Sequence, residues 1–371
     1  MSQPERDQVL TALDAVIDPK SGQGLAASGL VQGLVVGEGR AGFMLEVARQ
    51  DAGLYAPVRD AAERALLAVP GIERAQVVLT AASKAAPPPA GGVRVSKGAR
   101  VAGDPRARPE AMPPPQRLAS IRRTIAIASG KGGVGKSTIA VNLACALAAR
   151  GLSIGLLDAD IYGPSAPRML GVDQQPNFVD GKLEPLQAHG LKIMSIGFIV
   201  DEGAPMIWRG PMASSAVRQM IEDVRWGSEA EPLDMLIVDL PPGTGDIHLT
   251  LVQKLAVDGV VIVSTPQEIA LIDARRAAAM FGKMNPPVPI LGVVENMAWF
   301  ADPTSGAHIP IFGEGGARRE AERLGVPFLG EAPIDIAVRE GGDAGAPVAA
   351  TAPDSPTGRL FAEMAARLAV Q

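Results

Sequence analysis

The sequence predicts an α/β protein built on a doubly wound parallel sheet, with a small α+β domain ahead of it. Six apolar runs recur with helical patterns between them: "TIAIAS", "SIGLLDAD", "LKIMSIGF", "DMLIVDL", "GVVIVST" and "PILGVVENM". Strands buried on both faces of a sheet are continuously apolar, and intervening helices indicate parallel strands. A glycine-rich turn directly after the first run supports this assignment. We expect one doubly wound domain over residues 119–371.

The N-terminal residues 1–81 show a different pattern. Val9, Leu13 and Ile17 lie at helical spacing, and "LVQGLVV" and "AGFMLEV" flank the turn-like "GEGR" as the strands of a hairpin do. A second helical run around 55–69 and the strand "AQVVLT" follow. These elements predict a small domain of order α-β-β-α-β.

Residues 82–118 separate the two domains. The segment is rich in Pro, Ala and Gly, has no apolar period, and carries seven Lys or Arg against two acids. This composition is typical of a basic, extended linker, and a soluble spacer is favoured over a tail that binds a polyanion. At the other end, "LFAEMAARLAV" has few basic residues, which favours a packed terminal helix over a membrane-surface anchor.

The charge balance and the cysteine count exclude several classes. With 35 Lys and Arg against 40 Asp and Glu, the net charge of -5 provides no general attraction to nucleic acid or anionic lipid. No run approaches a membrane span, and "MSQPERDQVL" lacks the features of a signal peptide, so we expect a cytoplasmic protein. The single cysteine, Cys145, leaves no thiol pair within one chain.

The glycine-rich turn is a phosphate-binding loop. "TIAIASGKGGVGKST" has the G-x-x-x-x-G-K-[ST] spacing between a strand and a helix, and this context makes the match strong. Backbone N–H groups and the helix N-terminus would surround the phosphates of ATP. Lys136 would neutralise the β and γ phosphates, and the Ser137 hydroxyl would ligate Mg²⁺. The expected binding residues are Gly130, Lys131, Gly132, Gly133, Val134, Gly135, Lys136, Ser137 and Thr138.

A P-loop enzyme also needs carboxylates at the ends of neighbouring strands. Asp239 ends the strand "DMLIVDL" and is the expected second Mg²⁺ ligand. Asp158 and Asp160 end "SIGLLDAD", and we expect Asp160, which lies further into the loop, to orient the attacking water. Solvation of a strand end and capping of the loop are the alternative for this pair. Asp246 fits equally well as a helix cap or as a sensor of the γ phosphate.

The loop contains another lysine, Lys131, whose position is typical of a known family motif. "GKGGVGKST" resembles the deviant Walker A motif of the MinD, ParA and nitrogenase-iron-protein superfamily of dimeric ATPases. The resemblance implies that Lys131 reaches the nucleotide of the partner subunit, so that ATP binding and dimerisation are one event. Such a lysine supplies positive charge in trans, as an arginine finger does.

Further segments narrow the resemblance to the Mrp/ApbC iron–sulfur cluster carrier ATPases. They include "LLDADIYGPSAPRMLG", "MIWRGPM", "LIVDLPPGTGDIHLTL", "TPQEIALIDARRAAAMF", "GVVENMAWF" and "IFGEGGARREAERLGVPFLGEAPID". The N-terminal unit is similar to the iron–sulfur-assembly domain often fused to this family. The resemblance implies a homodimeric ATPase that binds and transfers clusters to apoproteins. It also implies that Asn296 reads the adenine edge and that Pro333 lines the base, although an Asn in a turn after a strand is also ordinary turn chemistry.

The sequence departs from this family at the expected cluster site. Members typically carry a Cys-x-x-Cys after "ENM", through which two subunits share one cluster, but here the two positions are Asp302 and Ser305. Asp302 with His308 is one conceivable ligand set, and an ordinary polar loop is the other interpretation. Cys145 lies among apolar residues, where a buried, unreactive thiol is expected.

Three functions follow from these patterns. The first is a dimeric ATPase that carries iron–sulfur clusters, with cluster ligands recruited from outside the usual motif or from a partner. The second is a MinD- or ParA-like switch in which ATP gates a protein interaction and cluster binding is lost. The third, a reductase of the nitrogenase-iron-protein type, needs cysteines that this chain lacks. The sequence leaves Trp208-Arg209 equally consistent with a partner contact and with packing.

Overall fold

The structure is a computed structural model that describes residues 6–37, 39–48, 51–82, 117–199, 210–244, 248, 251–252, 255–302, 304–305 and 307–370. These residues fall into two compact units, 6–82 and 117–370. Trp208-Arg209, Asp246 and nearly all of the predicted linker lie outside the described residues. The exact domain bounds therefore remain predictions.

The N-terminal unit has the predicted order α-β-β-α-β. Its elements are α1 (Arg6–Asp14), β1 (Val31–Gly37), β2 (Gly39–Ala48), α2 (Ala52–Leu67) and β3 (Ile72–Ala82). Strand β2 pairs antiparallel with β1 and parallel with β3. Val9 and Leu13, predicted on one face of a helix, are fully buried in one core with Phe43 and Leu45 of β2. The prediction was wrong for Ile17, which lies beyond the end of α1 and is 56% exposed. Apolar burial on one sheet face therefore stabilises this unit.

A buried carboxylate organises the segment between α1 and β1. Asp18 is 3% exposed and accepts hydrogen bonds from the backbone N–H groups of Lys20 and Ser21 and from the hydroxyls of Ser21 and Tyr55. Burial acts to raise the pKa of Asp18, but these hydrogen bonds outweigh it and lower the pKa to about 2. The ionised form of Asp18 is therefore the form that stabilises the segment.

We expect protection of residues 17–30 to be complete above about pH 4 and to be lost as the pH falls toward about 2. The folded-state pKa lies below the unfolded value, so the carboxylate stabilises the fold only while it is ionised. Amide hydrogen exchange of the full chain, corrected for intrinsic rates, would measure this change. The variant Asp18→Asn should be unprotected at every pH, and Asp60→Asn, on the exposed side chain paired with Arg59, should match wild type.

The second unit is the predicted doubly wound α/β domain. Its strands are β4 (Ile121–Ala128), β5 (Ile154–Asp158), β6 (Phe178–Val179), β7 (Lys182–Leu183), β8 (Leu186–Ala188), β9 (Leu191–Ser195), β10 (Leu233–Asp239), β11 (Gly259–Ser264), β12 (Ile290–Glu295), β13 (Phe300–Ala301), β14 (His308–Ile309) and β15 (Phe328–Glu331). Its helices are α3 (Lys136–Ala148), α4 (Ala166–Leu170), α5 (Gly210–Glu222), α6 (Glu268–Gly282), α7 (Gly316–Leu324), α8 (Ile336–Asp343), α9 (Val348–Thr351) and α10 (Pro356–Ala369).

Eight strands form one sheet in the order β15-β12-β11-β4-β10-β5-β9-β8. All neighbours are parallel except the edge strand β8, which is antiparallel to β9. The six predicted apolar runs are confirmed as β4, β5, β9, β10, β11 and β12. The two edge strands, β8 and β15, were missed because they are short and lack a long apolar run.

The carboxyl ends of the parallel strands meet at one edge of the sheet, where ligand sites of open α/β sheets form. The polar residues at the ends of β4, β5, β10 and β12 lie along this edge. The predicted terminal helix is confirmed as α10, which buries Phe361, Met364 and Leu368. Among the described residues, no helix combines the length and the apolar character needed to cross a bilayer.

Candidate functional site

The loop between β4 and α3 has a backbone that glycine alone accommodates well. Gly133 and Gly135 take φ values of 81° and 78°, in the left-handed region. A Cβ on Gly135 would lie 2.1 Å from Nδ2 of Asn296, and one on Gly130 would lie 2.1 Å from the carbonyl carbon of Asp273. The loop is therefore fixed both by its own conformation and by its close neighbours.

Lys136 lies at the centre of the site. It is only 6% exposed, and its Nζ lies 2.6 Å from Oδ1 of Asp239 and 3.2 Å from Oγ of Ser137. Oδ2 of Asp160 is 4.0 Å away. The structure thus brings four of the predicted catalytic and metal-binding residues to one point beneath the loop.

Two buried aspartates end neighbouring strands beside this lysine. Asp158 of β5 and Asp239 of β10 are register partners in the sheet. The Asp158 carboxylate accepts the backbone N–H groups of Asp160, Ser165 and Ala166 at 3.0–3.1 Å. Burial and the negative charge of Asp239 raise the pKa of Asp158 to about 7. Asp158 therefore fixes both ends of the 159–165 loop, which is the loop-capping alternative that the sequence offered for this pair.

Asp160 is held within this loop and faces the ammonium of Lys136. Its burial raises the pKa of its carboxyl, an effect that Lys136 opposes and Asp239 reinforces. This placement, next to the cation and at the wall of the cleft, is compatible with the predicted contact to an attacking water.

A cleft of about 260 Å³ opens above the loop. Eight of the predicted residues line it: Lys131, Gly132, Gly133, Gly135, Lys136, Ser137, Thr138 and Asp160. Sequence reasoning missed four other lining residues, Ser129, Ser165, Met169 and Pro242. Lys131 is half-buried, and within the described part of the chain its ammonium makes no hydrogen bond or ion pair. It is therefore available to a ligand or to another chain.

The residues predicted to hold Mg²⁺ fit that ion. Oδ2 of Asp239 is buried and has no hydrogen-bond partner among the described residues. The Ser137 hydroxyl lies beside the same lysine ammonium that binds the other oxygen of Asp239. A carboxylate and a hydroxyl are the hard oxygen ligands that Mg²⁺ prefers together with phosphate oxygens and water.

Asn296 and Pro333 lie where β12 and β15 end. The Asn296 side chain is buried and donates from Nδ2 to the Val134 carbonyl at 2.9 Å. It therefore connects the end of β12 to the phosphate-binding loop. Pro333 is buried in a segment that pairs with residues 298–299 through the N–H of Ala298 and the N–H of Ile334. Their predicted contact with adenine remains a prediction.

The predicted cluster positions form a polar turn between β13 and β14. Oδ1 of Asp302 accepts the backbone N–H groups of Thr304 at 2.7 Å and Ser305 at 2.9 Å, and these bonds lower the pKa of Asp302. The His308 ring stacks on Trp299 at 3.7 Å between ring centres. Asp302 therefore caps the turn, as the ordinary polar-loop interpretation expects.

The hairpin does not fit an iron–sulfur cluster. Neither Asp302 nor Ser305 is a thiolate, and clusters are held chiefly by cysteine and less often by histidine. Within the part of the chain that the structure describes, no group of three or more His, Cys, Asp or Glu side chains could hold a metal ion. Cys145 is 2% exposed, and burial raises its pKa to about 12, so it is the buried thiol that the sequence predicts.

A central strand that leads through a left-handed glycine loop into a helix, with a buried lysine and strand-end aspartates below, defines a P-loop NTPase. The model of the NUBPL iron-transfer P-loop NTPase family matches residues 120–369, and a model described as iron–sulfur cluster assembly protein matches residues 6–79. The chain belongs to the NUBPL iron-transfer P-loop NTPase family.

Individual relatives agree with this assignment. A protein of Synechocystis named iron–sulfur cluster carrier protein is 40% identical over 369 residues, which cover 98% of this chain and 96% of that protein. A Salmonella typhimurium protein of the same name is 50% identical over 253 residues, 68% of this chain and 67% of its own. A nucleotide-binding protein from Archaeoglobus fulgidus, solved in complex with ADP, has a TM-score of 0.56 at 37% identity and covers 66% of this chain and 93% of its own.

Proposed function

We propose that this chain is an ATPase that delivers iron–sulfur clusters to apoproteins and works as a nucleotide-gated homodimer. The observation that carries the proposal is the convergence of Lys136, Ser137, Asp160 and Asp239 beneath the glycine loop. This site belongs to a chain whose two units each match an iron–sulfur family. The names of the Synechocystis and Salmonella relatives support the same cargo.

The chemistry assigned to the site is hydrolysis of ATP to ADP and phosphate. Ser137 and Oδ2 of Asp239 would hold Mg²⁺, and the ion would supply positive charge at the phosphate oxygens. Lys136 exchanges its bond to Asp239 for the β and γ phosphates and stabilises the charge on the transferred phosphoryl group. Asp160 orients the attacking water, and Asn296 and Pro333 contact the adenine.

The trans role of Lys131 gives a direct prediction. Lys131→Ala should abolish dimerisation induced by a non-hydrolysable ATP analogue, because it removes the ammonium proposed to reach the partner's phosphates. Light scattering after size-exclusion chromatography, with Mg²⁺ and the analogue, would measure the mass. The exposed Lys283→Ala variant should still dimerise. A dimer of normal stability in Lys131→Ala would exclude the trans-lysine account.

The cluster ligands need a source outside the hairpin. A cluster requires soft ligands, and the single thiol of this chain is buried with its pKa raised to about 12. We therefore place the thiolates on the iron–sulfur apoprotein or assembly protein that the dimer engages. The same observation favours a second candidate function, an ATP-gated interaction switch that handles no cluster.

Anaerobic reconstitution with Fe²⁺ and sulfide, with and without MgATP, separates these functions. We expect normal ATP turnover and no stoichiometric iron on the chain alone. Adding a cysteine-ligated cluster donor and an apo iron–sulfur enzyme should then give cluster transfer that MgATP accelerates. ATP turnover with no acceleration of cluster transfer would favour the ATP-gated switch. Stoichiometric iron on the chain alone would instead show that the cluster ligands lie within this chain. Absence of MgATP turnover would reject the proposal as a whole.

A further inference from the structure

Ser165 lines the cleft, and the proposed chemistry leaves its hydroxyl unused. Its Oγ is buried and has no hydrogen-bond partner among the described residues, yet Ser165 lines the same cleft as Lys136 and Asp160. Buried hydroxyls in folded proteins are nearly always paired, because an unpaired one is destabilising. An unpaired hydroxyl on a residue that lines a ligand cleft therefore indicates a partner that arrives with the ligand.

The surroundings of Ser165 explain why its hydroxyl is unpaired. Ser165 immediately precedes α4, where a serine side chain commonly caps the helix, but it makes no such bond. The Asp158 carboxylate accepts the N–H groups of Ser165 and Ala166 instead. The same carboxylate accepts the N–H of Asp160. Asp158 thus holds Asp160 and Ser165 on one rigid loop and leaves the Ser165 hydroxyl without a structural role.

The sheet order places this hydroxyl relative to the phosphates. The phosphate-binding loop follows β4, the Mg²⁺ carboxylate Asp239 ends the next strand, β10, and the loop carrying Ser165 follows β5, one strand further. The β5 loop therefore lies beyond the magnesium position, on the side away from the loop that binds the inner phosphates. An O–H donor there, in a cleft that also holds the Lys136 ammonium, suits an anionic oxygen.

We propose that the Ser165 hydroxyl donates a hydrogen bond to the terminal phosphate of bound ATP and thereby distinguishes ATP from ADP. The inference rests on the proposed nucleotide site and adds to it a residue that reads the γ phosphate. Asp158 acts as the positioning residue, since it sets the loop conformation that presents both Asp160 and Ser165.

Calorimetric titration of the full chain with a non-hydrolysable ATP analogue and with ADP, both with Mg²⁺, tests this assignment. Ser165→Ala should weaken binding of the analogue about tenfold, the scale of one hydrogen bond to a charged group, and change ADP binding less than about twofold. Ser165→Thr keeps the hydroxyl and should restore the preference. Without nucleotide, the melting temperature of Ser165→Ala should equal or exceed that of wild type, because the substitution removes no hydrogen bond to any residue that the structure describes.

A matched control is Ser195→Ala, which removes a buried hydroxyl that donates to Asp158 at 3.2 Å but does not line the cleft. It should leave the ratio of analogue to ADP affinity unchanged. Equal loss of both affinities in Ser165→Ala, or no loss, would overturn the assignment. If wild type binds neither nucleotide, the proposed function fails and not the role of Ser165 alone.

Discussion

Lys136→Ala should lower the rate of MgATP hydrolysis about 10³-fold or more, the scale on which phosphoryl-transfer enzymes depend on a cation at the transferred group. Nζ of Lys136 lies 2.6 Å from Asp239 and 3.2 Å from Ser137, so the variant removes the positive charge from the point where the phosphates and Mg²⁺ are expected to meet. Phosphate release under saturating MgATP would measure the loss.

The same substitution also removes the partner of a buried carboxylate. Asp239 is 1% exposed, and leaving one member of a buried ion pair alone typically costs about 3–5 kcal/mol of stability. Lys136→Arg keeps the positive charge beside Asp239 and should fold like wild type. It should still turn over poorly, because the larger planar guanidinium does not reproduce the position of the compact ammonium, and the variant therefore separates the two effects. Exposed Lys283→Ala should behave as wild type. A folded Lys136→Ala variant within tenfold of the wild-type rate would contradict the assignment of Lys136.

Asp302→Cys/Ser305→Cys should convert a chain that takes up no stoichiometric iron into one that holds a cluster. The N–H groups of Thr304 and Ser305, which now bind the Asp302 carboxylate, are in place to bind a thiolate at the same position. Two chains would supply four thiolates, the ligand set of a [4Fe–4S] cluster. Reconstitution should give about four irons per pair of chains and a charge-transfer absorption that wild type lacks.

The control for this gain is a cysteine pair of the same spacing in another exposed turn. Ser228 and Glu231 form such a turn, closed by the Glu231 N–H on Oγ of Ser228 at 3.0 Å. Ser228→Cys/Glu231→Cys should not yield a cluster shared by two chains, because cluster binding depends on where the cysteine pair lies in the fold and not only on the spacing of its two residues. If Asp302→Cys/Ser305→Cys gains no iron while its ATP turnover is normal, the hairpin is not a cluster position in this chain.

The strongest predictions from sequence were those with a local physical cause. Continuous apolar runs predicted the six inner strands, because a strand covered on both faces needs such a run. The glycines and Lys136 predicted the phosphate loop. Glycine is the residue that readily adopts the left-handed backbone of such a loop, and a lysine supplies the positive charge that phosphates need. The edge strands β8 and β15 have neither a long apolar run nor a glycine and lysine pattern. They are strands because each pairs with a neighbouring strand of the sheet.

By itself, the sequence determined the fold class, the P-loop, the strand-end aspartates, the lack of a thiol pair and the burial of Cys145. The tertiary structure alone decided that Asp158 anchors the 159–165 loop, that Asn296 binds the Val134 carbonyl, and that the Ser165 hydroxyl has no partner in the described chain. The Asn296 contact joins residues 162 positions apart, whereas Asp158 binds residues two to eight positions further along its own loop. Spacing and composition do not encode these contacts, because the first needs the ends of β4 and β12 at one edge of the sheet, and the second needs the particular backbone conformation of the 159–165 loop.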